Sequence, residues 1–489
     1  MSEPPSLMNR LSRNIRFKLL AETVSRFFSL VFFLVLAHAL GDRGYGRYAF
    51  PLAFSGLFVY FSECGLNTLM IRQLASERAQ TLRYLKHHLG LKTLLSVLTF
   101  CLIIGSGALT GLRGEALLIL VWAAVITLAQ GWQDTLSAVF NGLEQIEREV
   151  SLRLQNRVLT LGTTLVILFW SRDILLLMQG LACAYLLSLF WGFSGLYQTF
   201  SKATSPAWET GFALRLLKEG MPFWLSGLFA LLYFRMDVAM LYQMGRPEAE
   251  VGWYQAVVKL LDLLILLPNL LLMAIYPVLA SLPRRQELGK LVAQSMRMAW
   301  IFVLPVMLGG SLLASEMIPA LLGAPFAPAA YSWQILLWAL LFVYFNHISL
   351  YSLAAIHRNG LLAWSNALGV LVNGGLNFFW IPRWGMVGAS YSTVLTEILV
   401  GMINLYWLSR LVPLDFKLSQ WSRAFLCSLM MAAGVWELNR LNLHWLVILP
   451  SALVFYLVLL VLTQALSPAE MGWLRQKLQR KAARDQSVA

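Results

Sequence analysis

The sequence predicts an all-α integral membrane protein of about fourteen transmembrane helices, and three observations carry that expectation. The 489-residue chain is 58% hydrophobic and only 13% charged, where a soluble protein of this size carries about a quarter charged residues. Its mean hydropathy is +0.66. Apolar segments of spanning length recur from residue 17 to residue 466, which leaves no room for a large soluble domain.

A spanning helix takes about 20 apolar residues. That length places spans at 17–40, 47–71, 88–110, 115–140, 154–170, 174–198, 214–244, 251–281, 291–318, 329–355, 361–381, 386–409, 420–439 and 445–466. The first follows the basic stretch Arg10 to Lys18 and ends in Ala37-His38-Ala39, which mimics a signal-peptidase site. A cleavable signal has an apolar core of about 7–15 residues, whereas the run from Leu19 to Leu40 is of spanning length and holds Glu22 and Arg26. It therefore reads as an uncleaved membrane helix. The connections at Gly41–Gly46, Gly111–Gly114, Arg172-Asp173, Gly245–Glu250 and Pro382–Gly385 are short, so consecutive helices form antiparallel hairpins. The longest connection on that face is expected at Pro319–Pro328.

An even number of spans puts both termini on one side, and basic residues choose it. Of the 38 Lys and Arg, 28 fall on the face holding residues 10–18, 72–92, 148–157, 202–218, 284–297, 358, 410–423 and 475–484, and 7 on the other. Three more, Arg26, Arg235 and Lys259, fall within spans. This excess places both termini in the cytoplasm. It also accounts for the net charge of +14, so no nucleic-acid partner is called for. The four cysteines are isolated and the histidines lack metal-ligand spacing, so no zinc site, disulfide framework or other metal site is expected. The chain contains no GxxxxGK[ST] loop, GxSxG elbow or HExxH pair, so neither ATP hydrolysis nor those hydrolytic chemistries are indicated. The expectation is a non-enzyme without cofactors.

The seventh and eighth spans repeat the first two. Leu40-Gly41 leads into Gly44-Tyr45-Gly46-Arg47-Tyr48, and Met244-Gly245 leads into Val251-Gly252-Trp253-Tyr254. In both, a Gly closes one helix and a Gly-x-Tyr opens the next. Parallel repeats about an axis along the membrane normal are common in transporters.

The ordered motifs ALGDRGYGRY (39–48), SECGLNTLMIRQLA (62–75), FRMDVAMLYQMG with VGWYQAVVKLLDLL (234–264) and LNFFWIPRWGMVGAS (376–390) cover most of the chain. Together they resemble the polysaccharide-transporter branch of the multidrug/oligosaccharidyl-lipid/polysaccharide exporter superfamily, whose members include O-antigen flippases. The resemblance implies two six-helix bundles, 1–200 and 212–410, related by a pseudo-two-fold along the membrane normal. Two further helices at 420–466 and a basic cytoplasmic tail at 467–489 would complete the chain. It also implies a multi-pass protein of the bacterial inner membrane that flips a polyprenyl-diphosphate-linked oligosaccharide to the outer leaflet with an ion gradient as energy source. Its partners would be that lipid-linked oligosaccharide, membrane lipids and candidate polysaccharide polymerase or chain-length proteins. A lipid II flippase and a cation-coupled drug exporter of the same superfamily are the alternatives. A membrane glycosyltransferase or polymerase would need a large external loop carrying catalytic carboxylates.

Charge deep in a bilayer is costly and usually functional. The cationic candidates for a diphosphate site are Arg26, Arg235 and Lys259, because guanidinium and ammonium groups suit phosphate oxygens. Glu63, Asp237, Asp262 and Glu397 are the acids expected to balance them or to carry coupling protons. Counting about 1.5 Å per residue from the helix ends sets Asp237 level with Lys259, which suggests one four-charge network with Arg235 and Asp262. Trp364 and Trp380, and Asn366, Asn373 and Asn377, are suited either to a sugar or to a neighbouring helix.

Overall fold

The computed structural model describes residues 7–77, 80–200, 207–282, 284–416 and 418–465. Among these the elements are α1 (Leu7–Gly56), α2 (Leu66–Ser76), α3 (Thr81–Leu109), α4 (Glu115–Gly142), α5 (Ile146–Trp170), α6 (Ile174–Phe200), α7 (Thr210–Gln243) and α8 (Glu248–Ser281). They continue with α9 (Arg285–Leu312), α10 (Ala314–Leu322), α11 (Ala329–Ala355), α12 (Asn359–Trp384), α13 (Met386–Leu411), α14 (Leu418–Arg440) and α15 (Trp445–Leu462). No β-strand occurs among the described residues. Helix covers most of each expected span among the described residues, with the one at 47–71 interrupted. Among the described residues eight helices are long and apolar enough to cross a membrane, and a ninth qualifies if the bent α7 is one span. The basic tail expected at 467–489 lies outside the described residues.

Three local expectations are corrected. The turn expected at Gly41–Gly46 is helical, and Gly41 alone breaks α1, at φ 66° and ψ −172°. The span expected at 47–71 is interrupted: α1 stops at Gly56, Val59–Ser62 forms a 3-10 turn, and α2 starts after Gly65. Cys64 and Gly65 both have positive φ there, a conformation that ends a helix. The break still satisfies backbone groups, because Phe61 N–H donates to Phe58 O and Glu63 and Cys64 N–H both donate to Tyr60 O. Lipid offers no such partners, so a break survives only where protein supplies them. Finally, the loop expected at Pro319–Pro328 is largely α10 followed by a 3-10 turn at Ala324–Phe326, with Phe326 fully buried.

The chain divides into two compact units. One gathers Met1–Ala256, Leu321–Ala329 and Asn366–Ser392. Within it α4 packs against α1, α2, α3, α5 and α6, and α7 packs against α1, α2 and α3. Glycine permits two backbone approaches. A Cβ on Gly46 would lie 1.9 Å from Glu248 O, and one on Gly65 would lie 2.2 Å from Gly220 O. Around the first, Phe50 stacks on Tyr242, and Trp253 Nε1 donates to Asp42 Oδ2 at 3.1 Å and Pro325 O at 2.8 Å. Trp253 is thus a structural anchor. Ahead of α7, Trp208 stacks on His87, Glu209 N–H donates to His87 Nε2 at 2.9 Å, and Arg83 donates to Glu209 Oε2 at 2.6 Å.

The second unit gathers Val257–Ala320, Ala330–Ser365 and Thr393–Ala489. Here α14 packs on α9 and α15 around Ile301, Cys427, Met431, Ile448 and Tyr456. Tyr456 OH donates to Ile301 O at 2.7 Å, and the buried Arg297 donates to Ala465 O at 3.0 Å, just past the end of α15. Interhelical hydrogen bonds of this kind hold helices together where lipid removes the hydrophobic drive.

Two outcomes follow from these contacts. Gly46→Ala will destabilise the purified protein by about 1–3 kcal/mol through forced separation of the two backbones, seen as a lowered melting temperature in detergent, whereas alanine at Gly105, which has open space, will have little effect. The hydrogen bond from Arg83 holds the Glu209 carboxyl below its ordinary pKa. A depressed carboxylate stabilises the fold above its unfolded pKa and loses that contribution as pH falls through the folded value. Thermal coupling between Arg83→Met and Glu209→Gln will therefore be present at neutral pH and absent well below the ordinary glutamate range.

Candidate functional site

Asp237, the acid expected at the centre of the site, sits near the end of α7 and is buried. Its Oδ2 accepts from Tyr254 OH and its Oδ1 from Asn377 Nδ2, both at 2.7 Å, and Asn377 also donates to Asn373 Oδ1 at 3.0 Å. The residue of α8 that stands level with Asp237 is thus Tyr254, where the sequence count set Lys259. The polar insert is helical from Glu248 onward, so counting from residue 251 placed α8 about one turn off. Lys259 lies about 8 Å further along the helix than Tyr254. Asn377 joins α12 to α7, Asn373 bonds it within α12, and Trp364 is 64% exposed on α12. Arg235, two residues before Asp237, is half-buried.

In the second unit, Lys259 Nζ lies 3.5 Å from Asp262 Oδ2, one turn along α8, with the side chains 35% and 40% exposed. Glu397 on α13 is buried. Its carboxylate accepts from Asn346 Nδ2 at 2.6 Å, and Asn404 Nδ2 donates to Asn346 Oδ1 at 3.4 Å. Two buried acids, Asp237 in one unit and Glu397 in the other, are each met by an asparagine amide.

The densest array of charge lies elsewhere in the first unit, on α1, α3, α4, α5 and the break before α2. Glu22 pairs with Arg26 at 2.9 Å and with Arg153 at 3.4 Å, and Arg153 pairs with Glu149 at 2.5 Å. Arg157 Nε donates to Ser25 Oγ at 3.2 Å. Lys92 is 1% exposed and donates to Ser62 Oγ at 3.1 Å, with Glu63 and Asp134 close enough to act on it electrostatically. Asp134 is in turn acted on by Arg153, Lys92 and Arg157. The set holds four cations (Arg26, Lys92, Arg153, Arg157) and four acids (Glu22, Glu63, Asp134, Glu149), a neutral total that lowers the cost of placing each in the membrane. Arg26 and Arg153 keep 48% and 43% of their side chains exposed, so their guanidinium groups can meet an anion. Among the described residues, no group of three or more His, Cys, Asp or Glu could hold a metal ion.

Arg26 and Glu63 therefore fall in one array, but Lys92, Arg153 and Arg157 were missed, because sequence reasoning assigned them to cytoplasmic connections. The signal was available for two of them. Lys92 lies inside the span expected at 88–110 and Arg157 inside that at 154–170. Arg297, also counted with a connection, is buried in α9.

Comparison with known proteins now bears on this geometry. The family described as polysaccharide biosynthesis protein matches residues 11–282. The probable low-salt glycan biosynthesis flippase Agl15 of Haloferax volcanii is 23% identical over 421 residues, covering 85% of this chain and 86% of that protein. Among solved structures, the lipid II flippase MurJ in an inward closed conformation superposes with a TM-score of 0.73 at 13% identity, covering 90% of this chain and 97% of that one. An inward-facing multidrug resistance MATE transporter of the MOP superfamily gives 0.63 at 13% identity, covering 79% and 94%. At such identities the structural likeness establishes the fold, that of a multi-pass membrane protein.

The Arg153 to Glu149 pair yields a test of the array. Glu149 is 1% exposed, so Arg153→Met leaves a buried carboxylate without its cation at a cost of about 1–3 kcal/mol. Adding Glu149→Gln will recover part of that loss, measured as melting temperature of the detergent-purified protein.

Proposed function

Because the chain belongs to the polysaccharide biosynthesis protein family, we propose that it is a flippase for a lipid-linked glycan, acting on a polyprenyl-diphosphate-linked oligosaccharide. The observation that carries this reading is the match to a glycan biosynthesis flippase along 85% of the chain. The excess of basic residues on one face supports a topology with both termini in the cytoplasm, and it survives the transfer of Lys92, Arg153, Arg157 and Arg297 into helices. The Gly245 turn is then external and the break before α2 lies toward the cytoplasm.

On this reading the substrate's diphosphate is met by half-exposed cations. In the first unit Arg26 and Arg153 offer fixed N–H donors toward the cytoplasmic end and Arg235 offers another on α7; in the second unit Lys259 offers an ammonium on α8. A guanidinium binds phosphate through paired charge-assisted hydrogen bonds, while an ammonium contributes a point charge. Arriving phosphate competes with Glu22 for Arg26 and Arg153, so the acids keep the empty site neutral and make binding reversible. Asp237 and Glu397, buried and held by amides, serve as charge balance and helix fixation. Glu63 and Asp262 are the acids left to take up a coupling proton. No bond in the substrate is made or broken; the energy comes from an ion gradient.

The test is translocation of a lipid-linked sugar in cells expressing the single variants Arg26→Ala, Arg153→Ala, Arg235→Ala and Lys259→Ala at matched levels. Loss of a charge-assisted hydrogen bond worth about 1.5–3 kcal/mol is expected to slow transport about tenfold or more. Normal transport by all four would overturn the cationic site. An ionophore that collapses the proton gradient is expected to stop net export, and export that persists with the sodium gradient also removed would identify a passive scramblase.

A further inference from the structure

The break between α1 and α2 is gripped from two sides. From α7, glycines bring backbone onto backbone. A Cβ on Gly220 would stand 2.5 Å from Cys64 O, one on Gly65 would stand 2.2 Å from Gly220 O, and one on Gly227 would stand 2.1 Å from the Tyr60 ring. From α3, Lys92 donates to Ser62 Oγ at 3.1 Å, and Ser62 Oγ donates onward to Val59 O at 2.7 Å. Gly131 on α4 leaves room for that ammonium, since a Cβ there would approach Nζ to 3.2 Å. Next to it, Asn67 Oδ1 accepts from Thr135 Oγ1 at 2.8 Å, which ties the first turn of α2 to α4.

We propose that the segment Val59–Gly65 is the cytoplasmic gate of the transport path and that Lys92 is the positioning residue that holds it shut. Three features converge on this assignment. The segment is the non-helical interruption of a span, with Cys64 and Gly65 in positive φ, so it can swing without unwinding a full helix. Its backbone contact with α7 has a glycine on each side, so the side chains that must part there are Tyr60 from Gly227 and Phe61 from Trp224. Its tether to α3 is Lys92, through a buried charge-assisted hydrogen bond to Ser62 and its attraction to Glu63 in the same segment, strong but local. The Gly46 and Gly252 contact, where a Cβ on Gly252 would lie 2.2 Å from Asp42 O, closes the same unit at the Gly245 turn. With both contacts made, the path is closed at each end, and release of the Lys92 tether opens one of them. The inference rests on the transport reading for its purpose, and on the proposed topology for the word cytoplasmic.

Cys64, inside the segment, is a native reporter. The experiment uses the full chain with Cys101, Cys183 and Cys427 changed to serine, in sealed vesicles of both orientations, treated with a membrane-impermeant maleimide. Lys92→Met is expected to raise the Cys64 labelling rate about tenfold or more, the population shift released by one charge-assisted hydrogen bond, while Lys92→Arg restores slow labelling. Gly220→Ala, which pushes on the segment from α7 and leaves Lys92 untouched, is expected to raise it as well and decides the matter if Lys92→Met fails to fold. Labelling at the parental rate in every folded variant, from both faces, overturns the gate. Faster labelling from either face supports it, and the face concerned reports the topology separately. Loss of transport with unchanged labelling would assign Lys92 to the substrate path and overturn its role as the latch.

Discussion

Transferring a lysine ammonium or a carboxylate into hydrocarbon costs several kcal/mol even after relaxation, and the first unit is arranged around that cost. Its charges are met by opposite charges or by polar side chains: Glu22 lies between two arginines, Glu149 is buried against Arg153, and Lys92 reaches a serine hydroxyl with two acids nearby. Removing one member leaves another exposed to a low dielectric, so these residues act as a set. The exposed faces of Arg26 and Arg153 are where the set remains open to a ligand.

The same constraint governs backbone. A helix broken within a membrane must satisfy its freed amides internally, and the segment between α1 and α2 does so with short-range 3-10 bonds. Its position between Lys92 and Gly220 supplies protein on both sides. Glycine at Gly65 and Gly220 permits an approach that any side chain would prevent, so local chemistry and tertiary contact act on one short stretch. The paired charges and this glycine-lined segment thus lie side by side in the first unit.

Asp237 illustrates how pairing differs from site formation. The acid that stood out most in the sequence is buried under a tyrosine hydroxyl and an asparagine amide, and Glu397 is held by Asn346 in the other unit. Both bind helix to helix. Conspicuous intramembrane charge thus divides by exposure: Arg26, Arg153, Lys259 and Asp262 keep part of their surface, whereas Asp237, Glu397 and Glu149 do not.

Much of this protein was legible in its amino-acid order. Apolar run length locates the helices, because the hydrocarbon thickness sets their size, and ordered motifs such as ALGDRGYGRY and SECGLNTLMIRQLA point to the family. Arg26, Glu63, Asp237 and Glu397 were visible as charges out of place in apolar sequence. The partners were not legible. Which residue of α8 stands level with Asp237 depends on where α8 begins, a shift of about one turn that hydropathy does not resolve. Lys92 and Arg157 lie near the ends of the spans expected at 88–110 and 154–170, and Arg153 just before the latter, where a basic residue reads equally as a solvated anchor or as a buried one. Only the packing of α3, α4 and α5 around the break before α2 decides between these, because burial depends on which helices stand opposite, and that information is absent from any single segment.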